Sequence, residues 1–165
     1  MIFDAHTHLN FEGFDEEERT QRAEEIAASD VGIIIDAGDS VASSRKAIED
    51  AETYSWCYAA VGIHPEHAAE YTEEDLARIE EMLAHRKVQA LGEIGLDFHY
   101  GKDTKEEQIE LFRKQLRIGM RHQVPVMIHT RDANQLTLDI LKEEDLFSEE
   151  RKAAFPTRPN ESGQP

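Results

Sequence analysis

Between Met1 and Leu141, short apolar runs rich in β-branched residues alternate with longer stretches whose apolar residues recur at helical spacing. The pattern predicts strands at Met1 to His8, Val31 to Gly38, Cys57 to His64, Val88 to Asp97 and Val124 to Arg131, each followed by a charged amphipathic helix. After the fourth strand, Ile109, Phe112, Leu116 and Met120 fall near one helical face, and Thr104 with Glu107 predicts a capping box. Thr72 and Asp75 predict a second box ahead of Leu76, Ile79 and Leu83. Five βα units of roughly 30 residues imply an α/β fold with a parallel sheet and right-handed crossovers. A doubly wound sheet and a partial (β/α)8 barrel both accommodate five units. A complete barrel takes ~250 residues, more than the 165 present. Residues 1–146 therefore read as one domain of five βα units, either a doubly wound sheet or an incomplete barrel. Residues 147–165, with Pro156, Pro159 and Pro165 and no apolar period, read as an irregular tail.

Charge changes the picture of possible partners. Lysine and arginine total 18 against 35 acidic residues, a net charge of −17, which excludes a nucleic-acid binder that works by blanketing phosphates with cations. Any nucleic-acid role must use a local site. No apolar run approaches the ~20 residues of a membrane span, and the start MIFDAHTHL lacks the charged and apolar regions of a secretory signal. The expectation is a cytoplasmic protein with no membrane partner. A single cysteine, Cys57, excludes an internal disulfide and a multi-cysteine zinc cluster.

The predicted strands end in ionisable residues. His6 and His8 are two apart, so on a strand both project from one face, which Asp4 shares. Two converging imidazoles begin a metal site. His64 closes the third strand, Glu93 and Asp97 lie at the end of the fourth, and His129 precedes Arg131 at the end of the fifth. Parallel strands gather their C-terminal ends on one rim, where barrel enzymes collect catalytic groups. A purely structural core rarely places such groups there, since each costs ~1–3 kcal/mol if left unpaired. Other polar and aromatic residues read more plainly. Tyr54, Trp56 and Tyr58 are packing residues. His67, His85, His99 and His122 are surface histidines, with His99 and Tyr100 placed to line the mouth. Asp15 to Glu18 is a solvated first helical turn, and Cys57 a buried, inert thiol.

The phrases DAHTHLNF, AAVGIHPEHA, ALGEIGLDFHY and PVMIHTRDA, in this order, closely resemble the TatD family of metal-dependent deoxyribonucleases, which are amidohydrolase-like (β/α)8 barrels. The resemblance covers Met1 to about Leu146. It implies His6 and His8 as ligands of one divalent ion, Glu93 as a carboxylate bridging two ions and acting in catalysis, and His129 as a ligand of the second. It also implies that His64 and Arg131 contact the substrate phosphate, with His64 joining Glu93 as a catalytic residue. The implied cofactors are up to two Mg²⁺, Mn²⁺ or Zn²⁺ ions, and the implied substrate is DNA. The family continues with a sixth-strand histidine and a late aspartate near the attacking water. No histidine follows His129 here, so the resemblance implies impaired activity.

Two rival functions follow from the same residues. One is an amidohydrolase-type enzyme cleaving a C–N bond, because the same metal and water attack a carbonyl carbon equally well. The other is an inactive barrel fragment that binds metal or self-associates through the open edges of its first and fifth strands.

Overall fold

A computed structural model describes residues 1–154. Its parallel strands are β1 (Ile2–Thr7), β2 (Val31–Ala37), β3 (Cys57–Val61), β4 (Val88–Asp97) and β5 (Val126–Arg131). The helices are α1 (Glu16–Ala27), α2 (Val41–Thr53), α3 (Glu73–Met82), α4 (Lys105–His122), α5 (Asn134–Glu143) and α6 (Glu149–Ala154), with one 3-10 turn at Pro65–His67. Each strand lies beside its predecessor, in the order β1-β2-β3-β4-β5, as the repeating βα pattern requires.

Local chemistry sets the helix starts. Thr72 caps α3 in the expected box: its hydroxyl accepts from Asp75 N–H at 3.2 Å while Asp75 accepts from Thr72 N–H at 2.9 Å. Asp15 with Glu18 and Ser40 with Ser43 make the same reciprocal pairs on α1 and α2. The box expected at Thr104 and Glu107 does not form. Thr104 makes no side-chain cap to α4, because its hydroxyl is taken by the buried Gln108 amide, which donates to it at 3.1 Å. The tail reading also needs correction. Residues 149–154 form α6, whose first turn carries Glu149 and Glu150 and whose last carries Arg151 and Lys152, matching the helix dipole. The rest of that predicted tail, with its three prolines, lies outside the described residues.

The core lies between the sheet and the helices. Ile34, Cys57, Ala59, Leu91, Ile94, Phe112, Leu116 and Ile140 are all essentially inaccessible. The opposite side of the sheet is less covered: Phe3, Ile33, Ile35, Tyr58 and Gln89 line an open recess of about 310 Å³. β1 and β5 each have one strand neighbour among the described residues. No helix among those residues is long and apolar enough to cross a membrane.

The sheet is curled. In a flat sheet, β1 and β4 would lie three strand spacings apart, ~14 Å. Instead, Glu93 on β4 donates its backbone N–H to Gly38 O just beyond β2 at 3.1 Å, and its side chain reaches β1.

Candidate metal centre

Glu93 sits at the centre of the rim, 7% exposed. Its Oε2 lies 3.0 Å from His6 Nε2 and 3.6 Å from His8 Nε2, and its Oε1 lies 2.9 Å from His129 Nδ1. Two donor triads result, His6–His8–Glu93 and His64–Glu93–His129, each with ligand atoms within 4.8 Å of one another. The structure thus brings together the five rim residues singled out from the sequence. Asp4 stays outside the set. It is exposed, and its Oδ1 accepts from His6 N–H at 3.2 Å. Arg131 touches none of the five; its guanidinium lies 4.6 Å above the Tyr100 ring.

Neighbouring groups fix how each donor is presented. His8 Nδ1 lies 3.0 Å from Ala37 O; donation to that carbonyl leaves Nε2, the atom facing Glu93, with a free lone pair. His129 Nε2 lies 3.0 Å from Asp97 Oδ2, an orientation that leaves Nδ1 toward Glu93. Imidazoles that bind metals are oriented in this way by a carbonyl or carboxylate on the far nitrogen. His64 differs. Its Nδ1 accepts Glu66 N–H at 3.2 Å, so the neutral ring carries its proton on Nε2.

Electrostatics reinforce these roles. Burial works to raise the Glu93 carboxyl, but the His129 hydrogen bond and the charges of His6, His64 and His129 outweigh it and hold the group at about 2. Burial, helped by repulsion from His129, pushes His64 down to about 4, so it is neutral near pH 7. The Glu93 hydrogen bond, with Asp97 behind it, raises His129 against the effect of burial. A buried, ionised carboxylate among nitrogen donors suits a divalent cation.

Two devices have supporting roles that the sequence does not assign. Asp97, essentially buried, supports His129 and also accepts the N–H groups of His99 and Tyr100, both at 2.9 Å. Its period-two spacing from Glu93 was the available signal. The second device is a pair of fully buried glutamines seven residues apart on α4. Gln115 bonds both Ile63 N–H (2.9 Å) and Ile63 O (2.8 Å), and Gln108 bonds Asp97 N–H (2.8 Å) and Asp97 O (3.0 Å). These amides act as substitute strand partners and pin the backbone beside His64 and at Asp97. Gly95 explains the glycine between Glu93 and Asp97. Its φ is +152°, and a Cβ there would fall 1.9 Å from His129 O.

Below His8, Asp36 is fully buried. Its Oδ1 accepts Leu9 N–H at 2.6 Å and Asn10 N–H at 3.3 Å, and Asn10 Nδ2 donates to the same Ala37 O that holds His8. The Oδ2 atoms of Asp36 and Asp50 are buried with no hydrogen-bond partner. Burial raises the Asp36 carboxyl to about 7, and the Asp50 charge adds to the rise.

Comparisons with known proteins agree with this architecture. The family described as TatD related DNase matches residues 3–153. A Bacillus subtilis relative, the uncharacterized metal-dependent hydrolase YabD, is 44% identical over 146 residues, covering 87% of this chain and 56% of its own. The 3'-5' ssDNA/RNA exonuclease TatD of Cronobacter sakazakii is 32% identical over 140 residues, covering 85% and 53%. The crystal structure of YjjV, a TatD homologue from Escherichia coli K12, superposes with a TM-score of 0.76 at 32% identity, covering 87% of this chain and 56% of that one. The chain spans just over half the length of these relatives, and its five strands form a curled half-barrel. It belongs to the TatD family.

Proposed function

We propose that this half-barrel carries the metal-binding rim of a hydrolase that cleaves phosphodiester bonds of DNA. The supporting observation is Glu93, whose two carboxylate oxygens face separate imidazoles from opposite ends of the sheet. His6, His8 and Glu93 would hold one divalent ion, and Glu93 with His129 a second; Zn²⁺, Mn²⁺ and Mg²⁺ are all compatible with nitrogen and oxygen donors. When bound, such ions lower the pKa of water and stabilise charge on attacking and leaving oxygens. The chain's own residues do the rest. Glu93 stays ionised between the two imidazole groups, Ala37 O and Asp97 fix the tautomers of His8 and His129, and neutral His64 offers Nε2–H to a phosphate oxygen. Arg131, exposed at the end of β5, is the cationic partner for that phosphate.

The relatives named as exonucleases support nucleic acid over an amide substrate. The cytoplasmic setting expected from the sequence belongs to the same proposal. Self-association is also part of it, through the open β1 and β5 edges and the apolar recess. The test is calorimetric titration with Mn²⁺ and Zn²⁺, alongside hydrolysis of 3′-labelled single-stranded DNA. Metal binding that falls at least about tenfold in Glu93→Gln is expected, with any hydrolysis of the strand lost in the same variant. A chain that binds neither metal would overturn the proposal.

A further inference from the structure

About half of the described cations of this acidic chain are paired with carboxylates. Arg19, Arg22, Arg78, Arg113, Arg117 and Arg121 all pair with carboxylates. Lys102, Lys105 and Arg131 make no ion pair among the described residues, and all three are exposed around the turn between β4 and α4, next to the metal centre. The same turn carries aromatic rings. Lys105 Nζ lies 4.6 Å from the Phe98 centroid, Arg131 lies 4.6 Å above Tyr100, and Tyr100 is 66% exposed.

The turn is also preorganised. Phe98 N–H donates to Arg131 O at 2.9 Å, Asp97 accepts from His99 and Tyr100, and Gln108 Nε2 donates to Gly101 O at 3.0 Å. His99 meets Asp132 at 3.2 Å and packs edge-on to Tyr100 at 4.6 Å between centroids. A rigid, exposed ring beside unpaired cations combines the two elements by which single strands are held, base stacking and phosphate attraction. Because Asp97 holds both this turn and His129, the ring keeps a fixed relation to the rim.

We propose that Tyr100, with Arg131, Lys102 and Lys105, forms a subsite that stacks one unpaired base of a single-stranded nucleic acid and holds its neighbouring phosphates. This deepens the hydrolase reading above and rests on it for the placement of the scissile end. A carboxylate-rich peptide is the weaker fit, because it would use the cations and gain nothing from the ring.

The test is fluorescence anisotropy of the full chain with a labelled 12-mer of oligo(dT), an abasic 12-mer and a duplex, all in EDTA so that metal contributes nothing. Tyr100→Ala is expected to weaken oligo(dT) binding about 5- to 100-fold, the range for loss of one stacked base. Tyr100→Phe should bind like the wild type. The abasic strand and the duplex should bind more weakly and respond little to Tyr100→Ala. Lys102→Gln and Lys105→Gln should each flatten the salt dependence by about 0.7 in log–log slope. Equal binding of abasic and base-bearing strands, an unchanged Tyr100→Ala variant, or preference for polyglutamate would overturn the subsite. Tyr100-dependent binding without metal-dependent hydrolysis would instead count against the catalytic reading and leave the subsite standing.

Discussion

Replacing Asp36 by Asn makes the sharpest demand on the buried scaffold beneath the candidate metal centre. Burial, reinforced by Asp50, raises the Asp36 carboxyl from 3.8 to about 7. A proton on Asp36 lets its side chain donate a hydrogen bond to Asp50. Between about pH 4 and 7 the folded chain holds this proton while the unfolded chain has released it. More protons are bound in the native state, so stability falls as pH rises through this window. At about 1.36 kcal/mol per unit, the loss totals roughly 4 kcal/mol, of which about 3 kcal/mol falls between pH 5 and pH 8. Asn is permanently neutral, and its carbonyl can still accept from Leu9 and Asn10. The stability of the wild type minus that of Asp36→Asn should therefore drop by about 3 kcal/mol from pH 5 to pH 8. Urea unfolding followed by far-ultraviolet circular dichroism at four pH values measures this difference. Titrations shared by both chains, including those arising from the −17 net charge, cancel in the subtraction. A difference that stays flat with pH would show that Asp36 is not held neutral and that the argument from burial fails.

Three further outcomes are expected. Asp97→Asn should lower metal affinity about 10- to 100-fold, the usual effect of losing a carboxylate behind a ligating imidazole; calorimetry with Mn²⁺ checks this, and an unchanged affinity removes Asp97 from the site. Gly95→Ala places a methyl group against His129 O in a backbone conformation that disfavours L residues, so it should destabilise the fold by at least about 2 kcal/mol, read as a fall in the urea midpoint. Self-association should appear in sedimentation velocity at tens of micromolar and weaken in Phe3→Lys, which places a charge at the recess; a monodisperse wild-type monomer would refute it.

The repeating β/α order and the rim residues were legible in the sequence because both depend on short-range rules. Apolar runs of five to ten residues separated by amphipathic helices specify parallel neighbours, and His6, His8, His64, Glu93 and His129 each sit at the end of such a run. What was not legible depends on long-range partners. Gln108 and Gln115 look like ordinary polar positions on a helix, and only the fold shows that their amides complete the hydrogen bonding at Asp97 and Ile63. The same competition misled the capping prediction at Thr104, where Gln108 takes the hydroxyl. Asp36 reads as one polar residue in an apolar strand, and its role emerges only when the turn after His8 folds onto it. Helix α6 is six residues long, too short for periodicity to reveal.

The DNA substrate proposed above sets an electrostatic conflict with so acidic a chain, and the fold answers it at the rim. The carboxylates of Glu93 and Asp97 are each held between imidazoles or backbone N–H groups, so their charge is compensated locally. Long-range repulsion from the rest of the surface is screened beyond ~8 Å at physiological salt. Over the shorter distances that remain, the charges nearest the rim count, and there Arg131, Lys102 and Lys105 are left without carboxylate partners while most other arginines have them. On the β4–β5 side a phosphate meets Arg131, Lys102 and Lys105 interspersed with Asp103, Glu106, Glu107 and Asp132, whereas over the start of α1 it meets Glu16, Glu17 and Glu18. Unpaired cations stand on the β4–β5 side and none stands in the first turn of α1, so the two sides of the rim differ in a way that the net charge conceals.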